Sequence, residues 1–175
     1  MDFIGSLYVQ FLGLGKEWGV AAALWGLAVV GILVILVKKR YLRGGQALAM
    51  ELLNVYLFLV LSSTVFSRTM TDDYHYELLP FWSYLEIYRG NTYFIQENFL
   101  NILMLVPVGV LFPVCGRGNG GGRTLLFGLA CTVAIEVLQL ITKRGLFEFD
   151  DIFHNIVGVA VGYGGYKVCS RWVRR

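Results

Sequence analysis

Three carboxylates and a group of amides stand in this chain where such groups are costly. Glu136, Asp150 and Asp151 lie within or at the edge of long apolar stretches, in company with Asn98, Asn101, Gln139, His154 and Asn155. Ionisable side chains in apolar spans face the interior of a helix bundle and mark binding or proton-transfer sites. Thr132, Glu136, Gln139 and Lys143 recur at spacings of four, three and four, which puts them on one helical face. Asp151, Asn155, Gly158 and Gly162 share a second face, with His154 beside it. A carboxyl group at Glu136 requires a hydrogen-bond partner, a cation or a proton of its own, and Asn101 or Asn155 is the partner expected. Arg68, Lys143 and Arg144 are placed to neutralise the carboxylates or to hold a lipid phosphate. Plainer roles compete with these. Asp150 and Asp151 suit the positive N-terminal end of a helix. Asn98 and Asn101 suit hydrogen bonding between helices, and Gly158 with Gly162 suits close helix packing.

The elements that must position these groups follow from composition. Hydrophobic residues make up 57% of the 175 and charged residues 15%, against about 45–50% and about 25% in soluble domains. A helix needs about 20 apolar residues to cross a membrane, and the sequence predicts five such spans, at 18–37, 48–66, 98–114, 124–142 and 152–169. The expected fold is therefore an all-α, polytopic transmembrane bundle. Lys38, Lys39, Arg40, Arg43, Arg117, Arg123, Lys167, Arg171, Arg174 and Arg175 fall on one side of it, ten of the 15 basic residues. The bias of Lys and Arg towards cytoplasmic segments then puts the amino terminus outside and the carboxyl terminus inside. In that topology the polar groups of four helices gather in the outer half of the bilayer. Glu136 lies six residues before Thr142, about 9 Å along its helix.

Residues 1–17 lack a basic segment ahead of an apolar one, so this stretch is expected to be retained, in the interface or lengthening the first helix. Residues 18–175 form the transmembrane domain. The loop 67–97 is rich in aromatics, among them Tyr74, Trp82, Tyr88 and Tyr93, and an interfacial helix is predicted around 82–88, entered after Pro80. Gly116, Gly118, Gly120, Gly121 and Gly122 make a flexible linker, since no Lys-Ser/Thr follows them as in a phosphate-binding loop. Gly145 is expected to break the turn after Arg144. Cys115, Cys131 and Cys169 have no disulfide or zinc spacing and serve packing. His75 with Asp72, Asp73 and Glu77 fits no standard ligand pattern, so no metal site is assigned, and the sequence names no cofactor.

The combination of Asn98-Phe-Leu-Asn101, Pro107-Val-Gly109, Glu136-Val-Leu-Gln139 and Arg144-Gly-Leu-Phe-Glu-Phe-Asp150-Asp151 leading to His154-Asn155 and Gly158, with Pro80-Phe81 ahead of it, resembles the VanZ-like family of bacterial membrane proteins. The resemblance covers about residues 60–166. It implies a place in the bacterial cytoplasmic membrane and low-level resistance to teicoplanin, an acylated glycopeptide, without change to the cell-wall target. Arg68, Asn98, Asn101, Glu136, Gln139, Arg144, Asp150, Asp151, His154 and Asn155 are the expected ligand-binding residues. Membrane lipids and a lipophilic antibiotic or lipid-linked envelope precursor are the expected partners, nucleic acid is not, and a second copy of the chain remains open.

Three functions compete. The first is binding or exclusion of lipophilic molecules at the outer leaflet. The second is a membrane enzyme using Glu136, Asp150 and Asp151 on a lipid-linked substrate, against which the lack of a GxSxG or HExxH motif counts. The third is a structural partner for another membrane protein. A transporter is disfavoured, because five spans offer no inverted repeat.

Overall fold

A computed structural model describes residues 16–116 and 120–173. Its elements run α1 (Lys16–Lys38), α2 (Gly44–Leu61), a π-helical turn (Ser62–Phe66), β1 (His75–Glu77), α3 (Trp82–Tyr88), α4 (Tyr93–Cys115), α5 (Gly121–Thr142), β2 (Leu146–Glu148) and α6 (Phe149–Val173). The protein is an all-α membrane bundle. Gly44–Phe66, Tyr93–Cys115 and Gly121–Thr142 are each long and apolar enough to cross a bilayer, and α1 adds a shorter apolar stretch, Ala23–Lys38. At about 1.5 Å per residue, 22 or 23 residues exceed the roughly 30 Å hydrocarbon core. The first 15 residues, with Arg117, Gly118, Arg174 and Arg175, lie outside the described residues, so the expectations resting on them are not addressed.

Each of the five expected spans begins earlier as a helix than the apolar pattern indicates. The fourth starts at Tyr93, a turn and a half before Asn98, because polar residues at the lip of a bundle extend a helix without altering its apolar face. Gln46 ties the start of α2 to the end of α4 by donating Nε2 to the Cys115 carbonyl at 3.4 Å. That end of the bundle therefore carries the connection at Lys38 to Arg43 and the end of α4.

The centre is α4, with Leu105 and Val108 buried against Ala49 and Leu53 of α2 and Val159 of α6. Its contact with α6 is a seam of backbone on backbone. A Cβ added at Gly158 would collide with the Ile102 carbonyl, one at Gly162 with the Val106 carbonyl, and one at Gly109 with the Val159 carbonyl. Small residues at these three positions let two helices approach more closely than any side chain would allow. Pro107 lies inside α4 and removes one bond of its ladder, and the Tyr56 hydroxyl of α2 donates to the Met104 carbonyl at 2.6 Å, tying the two helices together.

At the other end, the predicted interfacial helix is present as α3, but the long connection around it is more ordered than a loop. β1 pairs in parallel with β2, Tyr76 opposite Phe147 and Glu77 opposite Glu148, so the 67–97 segment is fastened to the α5–α6 connection. The turn after α5 also differs from expectation. Lys143, at φ 54°, is its left-handed residue, whereas Gly145 lies close against Arg68, a Cβ there coming within 2.9 Å of the movable Nη1.

Candidate functional site

Polar side chains from α3, α4, α5 and α6 meet at the end that carries the two strands. Asn98, Thr132, Glu136, Gln139, Glu148, Asp150, His154 and Asn155 are all buried. Three of them come from one face of α5, as the four-and-three spacing predicts, while Lys143 leaves that face at the helix cap. Lys143 instead donates Nζ to the Asp72 carbonyl at 2.6 Å and stands 4.6 Å from the centre of the Tyr74 ring.

The two adjacent aspartates have separate tasks. Asp150, 1% exposed, accepts hydrogen bonds from the backbone N–H groups of Phe81 and Ser83 and from the Ser83 hydroxyl, at 2.5, 3.0 and 2.6 Å. It thus caps α3 from a distant part of the chain. Phe81, the residue at the cap itself, has a left-handed backbone and no capping side chain, so the positive end of α3 is satisfied by a carboxylate 69 residues away. Asn98 completes this arrangement by donating Nδ2 to Ser83 Oγ at 3.1 Å. Asp151 belongs to a different neighbourhood, where Asn101 Nδ2 donates to its Oδ1 at 2.5 Å.

Glu136 is 1% exposed, and neither asparagine expected to meet it does so. Its Oε2 accepts the backbone N–H of Glu148 at 3.1 Å. Asn101 is engaged by Asp151, and Asn155 donates to Thr132 Oγ1 at 2.9 Å. The strand β2 turns an amide inward, a partner that side-chain spacing cannot reveal. Gln139 donates to the Thr64 carbonyl at 3.1 Å, in the π-helical turn that ends the helix, where the last carbonyls have no intrahelical donor. Arg144 donates to the Phe66 carbonyl at 2.9 Å and so braces the same turn.

Glu148, absent from the expected site, is the residue the sequence reading missed. Its side chain is buried at the end of β2 and accepts Trp82 Nε1–H at 3.2 Å. Burial pushes its carboxyl up to about 8, and the charge of Asp151 adds to the effect. The only available signal was its place between Glu136 and Asp150 in the quoted motif, and an alternating three-residue strand is too short to recognise.

Tyr84 Oη lies 2.8 Å from Nε2 of the fully buried His154. Nδ1 of that ring, Asn155 Oδ1 and Gln139 Oε1 are buried without hydrogen-bond partners. Arg68 feels Glu97, Glu136 and Asp151 electrostatically, yet no hydrogen bond or ion pair to it occurs among the described residues. A cavity of about 190 Å³ lies here, lined by Arg68, Tyr93, Gln96, Glu97, Leu100 and Asn101. Among the described residues no group of three or more His, Cys, Asp or Glu side chains is arranged to hold a metal ion.

The elements that build this site, α2 to α6, coincide with a match of the VanZ/LLP1 family model to residues 48–170. The chain belongs to the VanZ/LLP1 family. The VanZ/LLP1 region starts within α2, leaves α1 outside, and contains every residue of the polar cluster at the strand-bearing end. No curated protein and no solved structure matches the chain.

Proposed function

We propose that this VanZ-like protein sits in the bacterial cytoplasmic membrane with its polar end at the outer leaflet. There it lowers susceptibility to teicoplanin-type lipoglycopeptides, or to antimicrobial lipids, by binding or excluding the lipophilic molecule. The observation that carries this reading is the cavity lined by Arg68 and by Tyr93, Gln96, Glu97, Leu100 and Asn101 of α4, where Asn101 also bonds Asp151 of α6. Polar groups needed for helix association alone would be mutually satisfied. Instead, among the described residues, three of the four buried polar atoms without partners lie at this end, and Arg68 has no hydrogen-bonded or ion-paired partner beside the carboxylates.

A second reading, an enzyme acting on a lipid-linked envelope substrate, draws on the Tyr84–His154 contact and the buried carboxylates. It is weaker because Ser83, the hydroxyl held by this cluster, is buried, donates to Asp150 and accepts from Asn98. Its oxygen is committed to the fold and is not free to attack.

Asp151→Asn tests the binding reading. The amide keeps an acceptor for Asn101 but removes the charge, so the variant is expected to reach normal membrane abundance and to lose protection against teicoplanin. Full protection at matched abundance would reduce Asp151 to a structural residue and remove the support it gives the site.

A further inference from the structure

We propose that the cavity bounded by Arg68, Glu97 and Asn101 takes a zwitterionic headgroup in which a primary ammonium stands beside a phosphate, as in an aminophospholipid. This rests on the reading above that the polar end binds an amphiphile, and it names the chemistry of the part that is bound. Size comes first. At about 190 Å³ the cavity is below the roughly 300–1,000 Å³ of pockets that enclose drug-sized ligands. It suits a headgroup and is too small to enclose a whole glycopeptide.

Charge then selects the class. The Arg68 guanidinium has no hydrogen-bonded or ion-paired partner among the described residues, and a free guanidinium at the headgroup level matches phosphate oxygens in geometry and charge. A purely anionic ligand would nevertheless be repelled, because Glu97 lines the same cavity and Asp151 is bonded to Asn101 at its wall. A purely cationic ligand would meet Arg68. A ligand carrying both signs satisfies both sides.

The acceptors favour a primary ammonium over a trimethylated one. Asn101 uses its Nδ2 on Asp151, which leaves Oδ1 as an acceptor, and the Gln96 and Glu97 oxygens add others around the same space. An ethanolamine ammonium has N–H groups for them and a choline group has none. Behind Arg68, the Gln139 δ-carbon and Arg68 Nη1 lie 3.2 and 2.9 Å from the position a Gly145 Cβ would occupy. The unpartnered Gln139 Oε1 therefore belongs to the same neighbourhood. Leu100 lines the cavity and is half exposed, which gives an acyl chain an apolar exit towards the lipid.

The experiment uses the full chain purified in mild detergent and titrated with short-chain phosphatidylethanolamine, phosphatidylcholine and phosphatidylglycerol. Teicoplanin, free ethanolamine phosphate and inorganic phosphate are the remaining ligands. The ethanolamine lipid is expected to bind about tenfold more tightly than the other two lipids, a difference of about 1.4 kcal/mol. Free ethanolamine phosphate should compete with it, and inorganic phosphate should compete more weakly. Glu97→Gln is expected to erase the preference for ethanolamine, and Arg68→Gln to weaken all three lipids, with melting temperatures near that of the wild type. Equal affinity for the three lipids, or tighter binding of phosphatidylglycerol or teicoplanin than of the ethanolamine lipid, would overturn the headgroup assignment and leave the binding reading intact. Absence of binding by every amphiphile would overturn both. The wild-type ranking decides the matter even if a variant does not fold.

Discussion

The helices α4 and α6 meet in two very different ways along their length. Midway they touch backbone to backbone at Gly109, Gly158 and Gly162, with no side chain between them. Nearer the strand-bearing end, the same pair is joined by Asn101 and Asp151, and by Asn98 through Ser83 to Asp150. The first contact sets distance by shape, the second fills that distance with hydrogen bonds. Interhelical hydrogen bonds in membranes are worth only about 0.6–2 kcal/mol each, so they do not hold the helices at this spacing by themselves. The seam creates the close approach and the polar end uses it.

Breaking the seam should therefore do the greatest harm. Gly158→Leu drives a side chain into the Ile102 carbonyl and is expected to cost about 3 kcal/mol or more, seen as loss of membrane abundance and of a cooperative melting transition. A variant that accumulates and melts like the wild type would show that the seam does not set the spacing.

Asp150→Ala should come next. It leaves Phe81 N–H, Ser83 N–H and Ser83 Oγ without their acceptor. Bonds to a charged group are worth about 1.5–3 kcal/mol, so the melting temperature should fall clearly, with proteolytic sensitivity appearing first around α3 while the seam persists. Unchanged protection of α3 would mean that the short helix is held by other contacts.

Glu148→Gln should have the smallest effect and is expressed in pH dependence. The folded chain holds the Glu148 proton up to about 8, against an ordinary value of 4.5. The folded state then binds the extra proton, so the stability linked to it is complete below about 4.5 and is lost as pH rises through about 8. Melting temperature is expected to fall from pH 5 to pH 9 in the wild type and to fall less steeply in Glu148→Gln. Parallel slopes for the two proteins would contradict this account of the group.

The contrast also explains what the sequence made legible. Three of the five expected spans, the seam glycines and the buried face of α5 were readable because apolar runs and helical periodicity are local, and Gly158 and Gly162 announce close packing by spacing alone. The amphipathic start of α3 after Pro80 was readable for the same reason. The partners of the polar groups were not. Glu136 bonds to a backbone amide of β2, Asp150 caps a helix 69 residues away, and Gln139 reaches a carbonyl exposed by a π-helical turn. Each pairing depends on how distant segments are brought together, which no local pattern encodes. Glu148 escaped notice because its strand is three residues long.

On the function proposed above, the polar end serves a ligand as well as the fold, and Glu136 tests this most directly. Glu136→Gln preserves size and an oxygen to accept the Glu148 amide, but removes the charge and the titratable proton. Cells expressing the wild type, Glu136→Gln and Glu136→Ala at matched levels should be compared for teicoplanin susceptibility, alongside melting curves of the purified proteins. The expected result is a Gln variant that melts near the wild type and gives no protection. A Gln variant with full protection, beside an Ala variant that is destabilised, would contradict the account and leave Glu136 as a residue of the fold alone.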